Sequence, residues 1–108
     1  MATRLCALSE LSDGTALRVE LAEIDVAVVR VGDEVFAIED VCSHAEVPLS
    51  DGEVDGCTIE CLLHGSRFDL RSGKPTGPPA IQAVPVFETS VIDGELYADL
   101  SQPINDRA

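Results

Sequence analysis

Apolar and polar residues alternate with a period of two along much of this chain, the pattern of half-buried strands. Residues 3–8 alternate and predict a short strand, and residues 9–15, with Asp13-Gly14, predict a turn. Ala16-Leu17-Arg18-Val19-Glu20-Leu21 alternates apolar with charged, and the valine-rich residues 24–31 predict another strand. Gly32-Asp33-Glu34 then turns the chain into Val35-Phe36-Ala37-Ile38, which predicts a β-hairpin. Residues 39–52 hold no sustained period and read as a loop, with one turn of helix as a local option at 46–49. Cys57-Thr58-Ile59-Glu60 and Arg67-Phe68-Asp69-Leu70 read as two further strands, and Arg71-Ser72-Gly73 as a turn. Pro75, Pro78 and Pro79 exclude regular structure from residues 73–80 and stiffen that loop. Residues 81–89 predict a strand with Pro85 inside it, which argues for an edge or a bulge. Val91-Ile92-Asp93-Gly94-Glu95-Leu96-Tyr97-Ala98 is a hairpin signal around Asp-Gly, and residues 101–108 form a polar tail expected to fray. There is no internal repeat and no long helix, so the expected fold is all-β. A strand-built base would carry a smaller lobe formed by residues near 40–80.

Length and composition narrow the class. At 108 residues the chain is expected to be one domain, 1–108, and with 45% apolar residues it is globular rather than disordered. The longest valine run, Val26-Ala27-Val28-Val29, is stopped by Arg30, so no stretch is apolar for long enough to span a bilayer as a helix. The first residues lead into a strand pattern with no signal-peptide core, and a soluble cytoplasmic protein is expected. A net charge of −13 repels nucleic acid phosphate and argues against DNA or RNA binding.

The chemistry concentrates in one stretch. Cys42-Ser43-His44 is followed, sixteen residues on, by Cys61-Leu62-Leu63-His64, and these are the only two histidines in the chain. In an extended backbone, side chains two apart point the same way, so Cys42 and His44 can face one centre. Cys61 and His64 are three apart, which a tight turn can bring together. The intervening chain can reach roughly 50–60 Å, ample to leave one loop and return beside it. Four donors, two sulfur and two imidazole, can thus converge. Zinc takes Cys₂His₂ sets, usually with the cysteines paired together and the histidines paired together. Here each pair is mixed. A [2Fe–2S] cluster with both cysteines on one iron and both histidines on the other fits that mixing better. Its oxidised core, two ferric ions and two sulfides, carries about two positive charges that two thiolates cancel. A four-cysteine cluster would be more negative and harder to reduce. Cys6 and Cys57 remain, each within an expected strand, and read as small buried apolar residues. A disulfide between them is disfavoured in the cytosol.

The C-x-H and C-x-x-H-G pairs resemble the Rieske family, and the likeness extends beyond the four ligands. Pro48-Leu49-Ser50-Asp51-Gly52-Glu53-Val54, Gly65-Ser66-Arg67-Phe68-Asp69 and Gly77-Pro78-Pro79 are similar to family segments. The resemblance covers nearly the whole chain. It implies a Rieske (ISP-domain-like) fold, an antiparallel β-sandwich or barrel base with a smaller cluster-binding lobe. It implies one [2Fe–2S] cluster per chain on Cys42, His44, Cys61 and His64, with 77–79 as a flap over it. The histidines would present their outer edge to partners, and electrons would pass by way of His44 or His64. High-potential members have a serine and a tyrosine bonded to the cluster and a disulfide between their loops. Here Ser66 matches the serine, Phe68 replaces the tyrosine, and Val47 and Leu63 stand where the bridge would be. A low potential is therefore expected. Ser66 would bond either the cluster or backbone, Arg67 is either a docking contact or a solvated charge, and Tyr97 reads as core. Membrane-anchored members carry an N-terminal hydrophobic anchor, and none is expected here.

What the resemblance implies about function is a soluble one-electron carrier. It would accept electrons from a flavin-dependent ferredoxin reductase and pass them to a terminal oxygenase or other redox acceptor, without nucleic acid or membrane partners. With both histidines on a cluster, no 2-His-1-carboxylate iron site can be built, so it is not an oxygenase catalytic subunit. No glycine-rich dinucleotide fingerprint is present. The acidic surface suits docking on basic patches, or serves solubility alone. Two alternatives stay open here. One is a Rieske ferredoxin of another pathway, such as iron–sulfur assembly or a nitrite-reductase-like small subunit. The other is a zinc-stabilised binding module without redox chemistry.

Overall fold

Among the described residues nine strands form, all but one where the sequence pattern predicts a strand. The computed structural model describes residues 2–22, 24–41, 48–61, 67–76, 83–100 and 104. The strands are β1 (Ala2–Ala7), β2 (Thr15–Glu20), β3 (Asp25–Val31), β4 (Glu34–Glu39), β5 (Val54–Asp55), β6 (Thr58–Glu60), β7 (Arg67–Asp69), β8 (Val86–Ile92) and β9 (Glu95–Asp99). Six of them make one antiparallel sheet, in the order β1-β9-β8-β4-β3-β2, and β5-β6-β7 make a second, smaller one. The base and the smaller lobe expected from the sequence are these two sheets.

The valine run explains how they are joined. Val26 and Val28 pack with Leu5, Leu11, Ala37, Phe87 and Leu96 on one face of the large sheet. Ala27 and Val29 pack on the opposite face with Ile38, Leu49, Ile59, Phe68 and Leu70, which come largely from the small lobe. A strand buried on both faces loses its alternation and reads as continuous apolar sequence. The register keeps the two faces consistent. Val28 lies opposite Ala37, which lies opposite Phe87, all in the first core. Ala27 lies opposite Ile38, which lies opposite Val86, all in the second. Each fully buried valine contributes about 1.5–3 kcal/mol.

Both predicted hairpins are present. Asp93 (φ 51) and Gly94 (φ 76) sit in the left-handed region between β8 and β9, as a two-residue turn of this type requires. In β1 the pairing with β9 slips between Arg4 and Cys6, a bulge that turns both Leu5 and Cys6 into the core.

Four local expectations are corrected. Cys57 is not in a strand: it lies in the turn between β5 and β6, and β5 itself was not anticipated. Two residues of strand are too short to show a period. Pro85 precedes β8 rather than interrupting it, and its carbonyl accepts the Glu39 N–H at 3.0 Å. β8 is consequently an interior strand, between β9 and β4. The helical turn at 46–49 is instead a 3₁₀ turn at Leu49–Asp51, with 46 and 47 outside the described residues. In the tail, Ile104 donates its N–H to the Val86 carbonyl at 2.8 Å, so this position is tied to β8 rather than frayed.

Candidate metal centre

Three stretches of chain set out from one end of the small lobe. The 3₁₀ turn Leu49–Asp51 leads out of the first Cys/His loop, and the next residue, Gly52, lies against Glu60, the last residue of β6. Glu60 pairs with Arg67, the first residue of β7, across the second Cys/His loop. Thr76, at the start of the proline-rich segment, donates its N–H to the Arg67 carbonyl at 2.8 Å. Pro75 bridges to Phe68 beside it. The two Cys/His stretches and the expected flap thus start from one base, although they are apart in sequence.

Of the four predicted ligands, Cys61 is within the described residues. It follows β6 directly, is fully buried, and packs with Leu49, Ile59 and Phe68. Cys42, His44 and His64 lie outside the described residues, as do Val47, Leu63, Ser66 and 77–79. Cys61 is a free thiol, not a disulfide. A sulfur donor set in an apolar wall at the end of β6 fits a cluster whose thiolates are balanced by its iron. The donor set, two sulfurs and two imidazoles, matches the requirement of a cluster with one iron in each environment.

The base of the site is braced by polar contacts. The Asp40 side chain has no solvent exposure, and it is the buried polar or charged residue of the described chain. Its Oδ1 accepts the Ser50 N–H at 2.7 Å. Its Oδ2 accepts from Ser50 Oγ at 2.6 Å and from Arg18 Nη1 at 2.9 Å. Arg18 Nη2 reaches Asp25 Oδ2 at 2.7 Å. Burial pushes the Arg18 pKa down, but the carboxylates of Asp25 and Asp40 outweigh it, so the pKa is raised and the guanidinium stays charged. Arg67 is not a solvated charge. Its Nη2 pairs with Glu60 Oε2 at 2.9 Å, which ties β7 to β6 at the mouth of the second loop. Arg71 pairs with Glu34 Oε1 at 2.7 Å and lies over the Phe36 ring, joining the small lobe to the β3–β4 hairpin. Both side chains of that pair are more than half exposed, so it contributes little energy.

Sequence reading missed Asp40, Arg18 and the steric role of Gly52. The signal for Asp40 was present, as a carboxylate two residues after the apolar Phe36-Ala37-Ile38 and two before Cys42. Asp51-Gly52 reads only as the end of a loop and part of a family-like segment.

The spare thiols behave differently. Burial raises the pKa of Cys6, and Glu10 adds to the effect. Burial also raises that of Cys57, against the opposing pull of Arg71. A raised thiol pKa favours the protonated folded form. It contributes no loss of stability below the unfolded value near 8.5, and stability falls as pH rises past it toward the folded pKa. Both cysteines are expected to react slowly with iodoacetamide at pH 8 in the folded protein, Cys6 more slowly than half-buried Cys57. Mass spectrometry of the labelled peptides checks this. Labelling of Cys6 at the rate seen in denaturant would contradict it.

Among the described residues no helix is long and apolar enough to cross a membrane. The comparisons with known proteins agree on one lineage. The chain is 41% identical over 95 residues to ferredoxin CarAc of Metapseudomonas resinovorans, covering 87% of this chain and 89% of that one. It is 35% identical over 98 residues to the ferredoxin component of biphenyl 2,3-dioxygenase of Rhodococcus jostii strain RHA1, covering 91% and 92%. Its fold superposes with a TM-score of 0.90 and 37% identity on a chain from the complex of reduced oxygenase and oxidised ferredoxin in carbazole 1,9a-dioxygenase, covering 96% and 97%. The profile of the Rieske [2Fe–2S] domain matches residues 1–88, and with mixed Cys/His pairs on loops that share one base, the chain belongs to the Rieske [2Fe–2S] family.

Proposed function

We propose that this protein is the ferredoxin component of a ring-hydroxylating dioxygenase system. It takes single electrons from a flavin-dependent reductase and delivers them to a terminal oxygenase. It is a carrier within that system, not its catalyst. Residues 1–108 act as one domain, in the cytoplasm. The observation that carries this reading is the joint presence of a Cys/His pair on each of two loops and a common base for those loops at the end of β6 and β7. The similar ferredoxin component of biphenyl 2,3-dioxygenase and the oxygenase–ferredoxin complex of carbazole 1,9a-dioxygenase support the choice of partners.

Cys42 and Cys61 would hold one iron of the cluster, and His44 and His64 the other. Bound there, the cluster supplies reversible one-electron exchange. The chain's own part is to hold the donors and keep water away: Leu49, Ile59 and Phe68 wall off the Cys61 side completely. Phe68 is fully buried and brings no hydroxyl, so it donates no hydrogen bond to stabilise a reduced centre. A low midpoint, toward about −150 mV, is expected.

The test is anaerobic reduction followed by EPR. The wild-type protein should show an average g-value lower than that of a four-cysteine cluster, and His44→Ala with His64→Ala should lose the red-brown pigment. A double variant that keeps its pigment and reversible bleaching would refute the ligand set. A potentiometric titration giving a midpoint well above zero would refute the low potential. With purified reductase and oxygenase, turnover should fall steeply as salt is raised, because the net charge of −13 suits docking on basic patches.

A further inference from the structure

The first ligand loop is closed at its base by a buried carboxylate. Asp40 leaves β4 two residues before Cys42, and Ser50 lies in the 3₁₀ turn at the loop's far end. Both carboxylate oxygens of Asp40 are committed to Ser50, one to its N–H and one to its hydroxyl. Arg18, on β2, two strands away across β3, also donates to the second oxygen. The backbone of Asp40 is held as well, its N–H donating to the Asp25 carbonyl at 2.8 Å. From Ser50 the chain reaches Gly52, which is seated on Glu60, the residue before Cys61. One continuous set of contacts therefore runs from Arg18 through Asp40 and Ser50 to the base of the second loop.

A buried ion pair is a weak source of stability, since apolar residues of the same volume often do as well. What apolar residues lack is direction. Two directional bonds from Ser50 to Asp40 set the separation of the loop's two ends, and Arg18 and the Asp25 carbonyl fix Asp40 itself; a patch of aliphatic side chains would leave the ends free to slide.

We infer that Asp40 is a positioning residue for the metal centre, acting with Arg18 and Ser50 to hold the loop of Cys42 and His44 in register with that of Cys61 and His64. This rests on those four residues being the ligands. Asp40 is not one of the four donors, and its side-chain partners are Ser50 and Arg18, so it would work through the loop. Residues that orient metal ligands in this way typically change metal retention by about 10–100-fold when replaced.

The experiment uses the purified, pigmented protein and four variants: Asp40→Asn, Ser50→Ala, Ser50→Thr and Arg71→Gln. Arg71→Gln removes an exposed pair on the same lobe and serves as control. Two readouts are taken, the rate of bleaching by a ferrous-iron chelator and the EPR g-values after dithionite reduction. Asp40→Asn should bleach about tenfold faster than wild type or more, with shifted g-values. Ser50→Ala, which keeps its backbone N–H and removes one hydroxyl, should move the same way by less. Ser50→Thr should recover the wild-type rate and spectrum, and Arg71→Gln should match wild type. If Asp40→Asn does not fold, the two Ser50 variants decide the matter. Bleaching and g-values of Ser50→Ala indistinguishable from wild type would overturn the inference, as would a lowered melting temperature with an unchanged spectrum. A wild-type protein without a Rieske signal would overturn the proposed function itself, and the inference with it.

Discussion

Replacing Gly52 by alanine is expected to separate the two ligand loops and to strip the protein of most of its pigment. The backbone at Gly52 is extended (φ −86, ψ −178), a conformation open to any residue, so the need for glycine is purely steric. A β-carbon there would overlap the carbonyl oxygen of Glu60 and lie 2.8 Å from its carbonyl carbon and 3.2 Å from the Leu49 oxygen. All three are backbone atoms, so no side chain can swing aside to make room. The chain must part between Gly52 and Glu60, which pulls on the Glu60 N–H bond to the Glu53 carbonyl, 2.8 Å long. Overpacking of this kind costs about 1–3 kcal/mol and sometimes more. For a domain of this size that lowers the apparent melting temperature by about 4–8 °C per kcal/mol. The larger effect falls on the cluster, because Cys61 follows Glu60 directly. The ratio of visible to ultraviolet absorbance in freshly purified protein, with a thermal melt, measures both. Full pigment and an unchanged melt would show that the contact yields easily and that Gly52 does not set the spacing.

Truncating Phe68 to alanine should give the largest loss of stability. Its ring is fully buried, lies opposite Ile59 across β6 and β7, and packs against Leu49, Cys61 and Leu70. Removing such a ring costs about 3–5 kcal/mol, partly in lost transfer energy and partly in the cavity left behind. That is a large share of the 5–15 kcal/mol by which domains are ordinarily stable. Phe68→Leu fills more of the space and should recover much of the difference. Urea unfolding of the three proteins, compared at equal slope, decides the point. A shift for Phe68→Ala below about 1 kcal/mol would mean that the second core does not depend on this ring.

Some of the structure was written in short stretches of sequence. Both Gly- and Asp-containing hairpins could be read because a turn's backbone demands are met by the residues in it, as at Asp93 and Gly94. Strand β3 declared itself by the valine-rich apolar run Val26-Ala27-Val28-Val29. The Cys/His pairs were legible because each pair lies within four residues, inside the reach of one loop.

Other features depended on partners far along the chain. β8 looked like an edge because of Pro85, yet the strand begins one residue later and is covered on both sides by β9 and β4. Cys57 looked like a strand residue, but the pairing of β5 with β6 placed it in their turn. Arg67 looked solvated until the register set it opposite Glu60.

By itself the sequence determined the all-β class, the candidate donor residues and the family resemblance, since each rests on residue types and local spacing. Only the tertiary structure decided that Gly52 must have no side chain, and that Asp40 is held by Arg18 and Ser50 at the foot of the first loop. Those facts arise from contacts between residues 8, 10 and 22 positions apart in the chain. Nothing in a local pattern records which backbone will come to rest against which.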